Sequence, residues 1–411
     1  MADIRRPGPD ADVATALGQS NIASAVSRRV FFGAGASVAA VGIASRVGAQ
    51  NVTGDRTRVL VLSGGIAYGS YEAGVLSALA QAHGGPRSYD FVCGTSIGAL
   101  NGAVYCAGSA SELAALWNSI GSRAVLKVKD KYAKIPRESA GVANRLYQLG
   151  RLVYDMATGD GQGVCDSEPV QSILREFLVL DGKVRPFRLP LFWAATDVTA
   201  GTATYFKRLS NVQPREQARA TVSAVSDWPG IQFETPEGPD QFIEALRSSS
   251  AFPIVFDPAK LGGAARAKRI LVDGGVLNNT PFRLVRIAVA QGPVDVDVVL
   301  LGPDFAGLGP AQSRNALGLL GGLFDAVRQQ QSDDAVRSLK YEVQAANPRG
   351  RPVSDSVTIS MIRPSKALAG NSFDFTDQAS ITANFKLGQQ DVQTRGFTPY
   401  KVPDPFETSL L

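Results

Sequence analysis

Histidine is nearly absent from this chain: among 411 residues only His83 carries an imidazole. A histidine-based metal centre is therefore not expected. Acid–base chemistry is constrained too, because a conventional serine-hydrolase triad needs a histidine base. Cysteine is almost as scarce. Cys93, Cys106 and Cys165 are odd in number and form no C-x-x-C pair, so neither a disulfide framework nor a zinc site is indicated. Cys93, in an apolar run, is expected simply to pack. A strong charge of one sign is also missing. The net charge is +5, and five Arg against three Asp in residues 1–49 leave about +3 for the rest, a weak attraction to anionic surfaces and no argument for nucleic-acid binding. No internal repeat is visible. What is present is an ordinary globular composition, 45% hydrophobic and 19% charged, on a chain long enough for a large core.

The first 49 residues read as a targeting segment. Arg28-Arg29 precedes an uncharged run from Val30 to Ser45, rich in Gly and Ala and marginal for a membrane span. The run leads to Val47-Gly48-Ala49, a small-residue cleavage pattern. Paired arginines, a weak apolar core and small residues in that order resemble a twin-arginine export signal. The expectation is an exported protein, periplasmic or membrane-associated on the outer side. A disordered tail on a cytoplasmic protein is the alternative.

Beyond it, Arg58 to Leu62 and Phe91 to Cys93 are short apolar runs read as buried strands. Leu189 to Thr196, Thr202 to Phe206, Ile270 to Val272 and Val296 to Leu301 read likewise. Tyr71, Val75, Leu76 and Leu79 are spaced for a helix, and Ile97 to Ala107 predicts one whose small residues allow close packing on a sheet. Strands alternating with helices indicate a sheet covered on both faces. Two stretches read as insertions. Residues 124–155 carry seven basic residues against three acidic ones, with Val142, Leu146, Leu149 and Val153 at helical spacing. This is a candidate cap helix against a lipid surface, or a packed helix with a solvated basic face. Residues 211–240, rich in Pro, Gln, Ser and Glu, read as a surface excursion. Residues 346–356 read as a loop, and Phe373 to Val392 as a final helical segment.

Three segments carry chemistry. Gly94-Thr95-Ser96-Ile97-Gly98 is a G-x-S-x-G pattern placed between a strand and a helix, where a strained turn exposes a nucleophilic hydroxyl. The helix N-terminus adds positive potential beside a developing oxyanion. Ser63-Gly64-Gly65-Ile66 is a glycine-rich turn after a strand, whose backbone N–H groups can converge on an anion. No Gly-Lys-Ser/Thr follows and G-x-G-x-x-G is broken at Ile66, so an oxyanion hole fits better than a nucleotide loop. Asp273-Gly274-Gly275 follows a strand. An aspartate there, freed by Gly274 and Gly275, can reach a serine at a neighbouring strand end, and partial burial would raise its pKa towards that of a useful base.

Together these segments resemble the patatin-like phospholipase family. The likeness extends to Cys165-Asp166-Ser167-Glu168-Pro169, to Ala195 through Gly201 and to Ser248 through Pro253, covering roughly residues 57–302, with weaker likeness near Phe373 to Asp391. The resemblance implies a three-layer α/β/α sandwich with a mostly parallel central sheet, completed by residues 303–411. It implies a Ser–Asp dyad without histidine, with Ser96 as nucleophile and Asp273 as proton acceptor. The N–H groups of Gly64, Gly65 and Ile66, with that of Ile97, would form the oxyanion hole. No cofactor or metal is implied. The partner implied is a lipid or ester substrate, with peripheral membrane contact. Two positions depart from the family pattern: Ile66 stands where a third glycine is usual, and Tyr68 where a basic residue is usual. The first narrows the mouth of the site. The second removes a partner for phosphate, so a neutral ester or lysolipid competes with phospholipid as substrate. An acyltransferase or thioesterase on the same site, or a non-catalytic lipid-binding protein of the same fold, are the other readings. A conventional triad would need His83, expected in a solvated loop.

Overall fold

The structure, a computed structural model, describes residues 56–82, 89–130, 163–231, 233–261, 269–302, 316–345, 355–370 and 372–400. The export-signal segment, His83, positions 131–155 of the candidate cap and positions 346–354 of the expected loop lie outside them.

In chain order the elements are β1 (Thr57–Leu62), α1 (Gly69–Ala82), β2 (Phe91–Thr95), α2 (Ile97–Ala107), α3 (Ala110–Ser119), α4 (Glu168–Leu178), β3 (Val179–Leu180), β4 (Lys183–Val184), β5 (Leu191–Asp197) and β6 (Thr202–Arg208). There follow α5 (Glu216–Ser226), β7 (Phe233–Glu234), α6 (Gly238–Ser248), β8 (Ala259–Leu261), β9 (Arg269–Asp273), α7 (Phe282–Gln291), β10 (Val294–Val299), α8 (Ala316–Ala345), β11 (Val357–Ile362), α9 (Gln378–Thr394) and β12 (Thr398–Pro399). One sheet runs in the order β12-β11-β10-β1-β2-β5-β6-β7, with β9 also on β5 and β8 on β9. From β11 through β5 all neighbours are parallel. The antiparallel pairs lie to either side.

The pleat sorts residues into two cores. Leu60 and Leu62 face one core and Val59 and Val61 the other; Val92 opposes Phe91 and Cys93 in the same way. Both faces are apolar because both are covered. The first core takes side chains of α1, α2, α3, α4, α6 and α9, the second those of α5, α7 and α8. This is the three-layer α/β/α arrangement. The small residues of α2 let it lie close on the sheet, as expected: a Cβ on Gly102 would stand 3.1 Å from Leu191 and 3.3 Å from Leu62.

Residues 211–240 are a correction. They are not a surface excursion: α5 buries Ala218, Val222 and Val225 against the second core, and β7 extends the sheet beside β6. The apolar positions are small and set among polar ones, so the periodic signal is weak in sequence, and packing under the sheet decides the structure.

Strand order reverses beside β1. The chain leaves β1 for β2 and β5 on one side, whereas β10 and β11 lie on the other. The crevice beyond the carboxyl ends at such a reversal is where open parallel sheets receive ligands, and the glycine-rich turn after β1 and the serine after β2 both lie at carboxyl ends.

Candidate active site

Ser96 joins β2 to α2 at φ 55° and ψ −128°, a left-handed backbone that a non-glycine residue adopts only under constraint. The neighbouring glycines make the turn possible. A Cβ on Gly94 would stand 2.6 Å from the Gly98 carbonyl oxygen, and one on Gly98 2.6 Å from the Leu62 carbonyl oxygen. The turn is pinned by its neighbours. The Ser96 N–H donates to Ser249 Oγ at 2.8 Å, Ser249 Oγ donates to the Ala194 carbonyl at 2.5 Å, and Thr95 Oγ1 donates to the Asn278 carbonyl at 2.9 Å.

Register brings Asp273 to the serine. β2 and β9 share one edge of β5 and run towards each other along it. Thr95 is opposite Ala194, and Asp273 is opposite Ala195, the next residue. The two strands therefore meet end to end rather than side by side, and Ser96 and Asp273 fall at the junction. Ser96 Oγ donates to Asp273 Oδ2 at 2.6 Å. Both residues are buried, at 5% and 4% exposure. The other carboxylate oxygen accepts from the Gly275 N–H at 2.7 Å, and the Asp273 carbonyl accepts from Thr196 Oγ1 at 2.9 Å, so the side chain has little freedom. Gly274 passes against the Ala194 carbonyl, where a Cβ would collide. Burial pushes the Asp273 pKa up to about 6, against the opposing pull of the Ser96 hydroxyl, the Gly275 N–H and the charge of Arg328. That places it where it can both take and return a proton near neutral pH.

The glycine-rich turn lies over the serine. A Cβ on Gly64 would stand 3.1 Å from Ser96 Cβ and 2.6 Å from Asn279 Oδ1. The Gly64 N–H is directed to the Asn279 carbonyl, at a long 3.4 Å. For the N–H groups of Gly65, Ile66 and Ile97, no acceptor is found among the described residues. Ile66 has φ 56°. Tyr68 Oη donates to the Gly370 carbonyl at 3.3 Å.

Ser96 and Asp273 border a concave, largely apolar cavity, the kind of place where small-molecule sites form. Its wall is apolar: Leu100 and Val104 of α2, Leu116 of α3, Ile173 and Leu174 of α4, with Phe252, Phe256 and Phe375. Ile66 and Ile97 stand at the same wall as the serine. Asn101, also at the wall, accepts from Trp117 Nε1 and donates to Glu72 at 2.9 Å. Among the described residues there is no group of three or more His, Cys, Asp or Glu placed to hold a metal ion.

The motif residues thus come together at one point. The supporting residues had no signal of their own. Ser249 lies within a serine run that the family likeness included, but its bond to Ser96 spans 153 positions. Arg328, on α8, lies in no motif.

The sequence model of patatin-like phospholipases matches residues 60–286, more than half of the chain. Uncharacterized NTE family proteins of Mycobacterium bovis and Mycobacterium tuberculosis are 27% identical over 257 residues, which cover 62% of this chain and 51% of theirs. The chain thus spans about half the length of these relatives. Among solved structures, VipD from Legionella pneumophila is similar at a TM-score of 0.34 and 12% identity, covering 83% of this chain and 66% of that one, a likeness too loose to bear on function.

Proposed function

The chain belongs to the patatin-like phospholipase family, and from that premise we propose that it is a lipolytic serine acyl hydrolase working through Ser96 and Asp273. The observation that carries this reading is the 2.6 Å hydrogen bond between the two buried side chains at the wall of an apolar cavity. The acyl chain of the substrate occupies that cavity, which places the ester carbonyl over Ser96.

Ser96 Oγ attacks the carbonyl carbon as its proton passes to Asp273 Oδ2. The carbonyl oxygen becomes an oxyanion, met by the N–H groups of Gly65, Ile66 and Ile97 and by the N-terminus of α2. Gly64 contributes mainly room, because its own N–H faces Asn279. Collapse expels the alcohol, which takes the proton from Asp273. A water then gives a proton to Asp273 and attacks the acyl-enzyme, and the carboxylic acid leaves as Ser96 regains its hydrogen. Asp273 alternates between base and acid, which its raised pKa suits.

Hydrolysis of p-nitrophenyl butyrate and of a long-chain p-nitrophenyl ester tests this. Ser96→Ala and Asp273→Asn should each lower kcat by about 10³-fold or more, the scale of losing a nucleophile or its base. In the wild type kcat/KM should rise with pH through about 6 as Asp273 loses its proton. His83→Ala should retain nearly full activity. A loss of several orders of magnitude in that variant, with the protein folded, would remove the dyad.

A further inference from the structure

α8 overshoots the sheet that it covers. It has 30 residues, about 45 Å at the usual helical rise, against about 20 Å for the six-residue strands β1 and β10. Its contacts show which part is in excess. Arg328, Gln329 and Ser332 border one cleft with Ser63, Gly64 and Leu301, at the carboxyl ends of β1 and β10. Thr280 Oγ1, just before α7, donates to Ser332 Oγ at 2.8 Å, and Arg286 within α7 pairs with Glu342 at 3.3 Å. Residues 332–345 thus run level with α7 and the strands. Residues 316–327, about 18 Å of helix, continue past the carboxyl ends, the end of the sheet at which Ser96 lies.

The composition runs opposite to the packing. From Ser332 onwards α8 buries Ser332, Asp333, Val336, Leu339 and Val343, whereas from Ala326 to Gln331 no residue is buried. Yet the packed part holds five charged residues between 332 and 345, and the overshoot holds none from Ala316 to Phe324. Within those nine positions stand four leucines, a phenylalanine and three glycines. Glycines make it a poor helix by itself, so its helical form calls for an apolar surrounding. Leu317, Leu320, Phe324 and Val327 recur at spacings of three and four, one stripe of a helix. Gln331 follows one turn further on. It donates to the Val276 carbonyl at 3.2 Å and accepts from the Asn279 N–H at 3.3 Å. Val327, Val276 and Leu277 are all exposed. The stripe therefore leads to an exposed apolar ledge three and four residues past Asp273.

Two features favour lipid over a protein partner for this surface. A protein interface surrounds its apolar centre with a polar rim, whereas the overshoot has no polar side chain over nine positions. It also stands at the same end of the sheet as Ser96 and its apolar cavity. We propose that residues 316–327 of α8, with Val276 and Leu277, form a docking surface that dips into a lipid layer and brings the active-site end of the sheet against it. This goes beyond the hydrolase reading and does not depend on it, because docking is the same whether or not Ser96 reacts.

Hydrogen exchange on the full chain carrying Ser96→Ala, which leaves the lipid intact, tests the surface with and without unilamellar vesicles of dioleoylphosphatidylcholine. Amides of residues 316–327 and 274–278 should exchange at least about tenfold more slowly with vesicles. Those of residues 179–184, the β3–β4 hairpin with its own exposed Leu180, should not change. Adding Leu320→Glu with Val327→Glu should abolish the vesicle effect at 274–278, and Leu180→Glu should leave it in place. If the doubly substituted chain is unfolded, seen as fast exchange throughout without vesicles, the comparison on the unaltered helix decides alone. Equal exchange of residues 316–327 with and without vesicles overturns the proposal. Slow exchange there without vesicles, lost on dilution and accompanied by sedimentation as a dimer, assigns the helix to a second copy and overturns it as well. Docking as expected, in a protein whose Ser96 takes no fluorophosphonate, would leave the surface standing and remove the hydrolase.

Discussion

Ile66 and Ser96 face the same cavity and both hold left-handed backbone, at φ 56° and 55°. For Ser96 the conformation presents the hydroxyl and is fixed by Ser249 and by the start of α2. For Ile66, a β-branched residue, it is a cost without an evident return in folding. Replacing it by glycine would relieve about 1–2 kcal/mol of left-handed strain and lose about 0.5–1 kcal/mol through unfolded-state entropy, so stability should change little. Selectivity should change more, because the side chain stands at the cavity wall. Ile66→Gly is expected to raise kcat/KM for p-nitrophenyl pivalate relative to the butyrate; an unchanged ratio would contradict the role given to this side chain. At this scale the sequence was informative where chemistry is local. Gly94, Gly98 and Ser96 lie within five positions, and steric demand alone explains their order. Asp273 was legible as a strand-end carboxylate. Ser249, Asn279 and Arg328 were not, because each acts through a contact set by the fold rather than by spacing.

Glu72 shows how an element can carry a titratable group away from the reaction. It lies in α1 with 0% exposure, bonded to Asn101 of α2, and its second carboxylate oxygen has no partner among the described residues. Burial pushes its pKa from 4.5 to about 8. The folded state therefore holds this proton more tightly than the unfolded chain. Stability from this group is fully present below about pH 4.5 and is lost as pH rises through about 8. Glu72→Gln keeps the acceptor for Asn101 and removes the ionisation. It should raise Tm by several degrees at pH 9 and hardly at all at pH 4.5; an equal change at both values would mean that Glu72 does not titrate in the fold. Among the elements, those with strong apolar runs were legible: β1, β2, β5, β9, β10 and α2 lie within a few positions of expectation. α5 was hidden by its polar composition. That β2 and β9 meet end to end was not legible either, since register on β5 depends on pairing between residues more than 70 positions apart.

At the scale of the whole molecule, the segment after residue 302 completes the site as well as the sheet. β11 covers the outer edge of β10, and α9 lies across α1, where Gly74 meets the Phe385 backbone and Gly388 meets that of Tyr71 so closely that a Cβ at either would collide. Tyr71 Oη also donates to Asp391 at 3.0 Å. A chain ending at residue 302 would expose the edge of β10 and the apolar face of α1, an aggregation template, and would lack Arg328. Such a chain should be insoluble on expression; a soluble, cooperatively unfolding product would show that the core stands without it. The layered architecture was legible from alternating strands and helices. The packing of the last hundred residues was not, because few of them carry motif or strong periodicity.

In the proposed mechanism Ser96 becomes acylated with Asp273 as its base. Intact-mass analysis and peptide mapping after reaction with a fluorophosphonate test it most directly. One adduct per chain is expected, on Ser96, formed at least about 10²-fold more slowly in Asp273→Asn, as for a nucleophile deprived of its base. An adduct on another residue, or equal rates in wild type and Asp273→Asn, would contradict it.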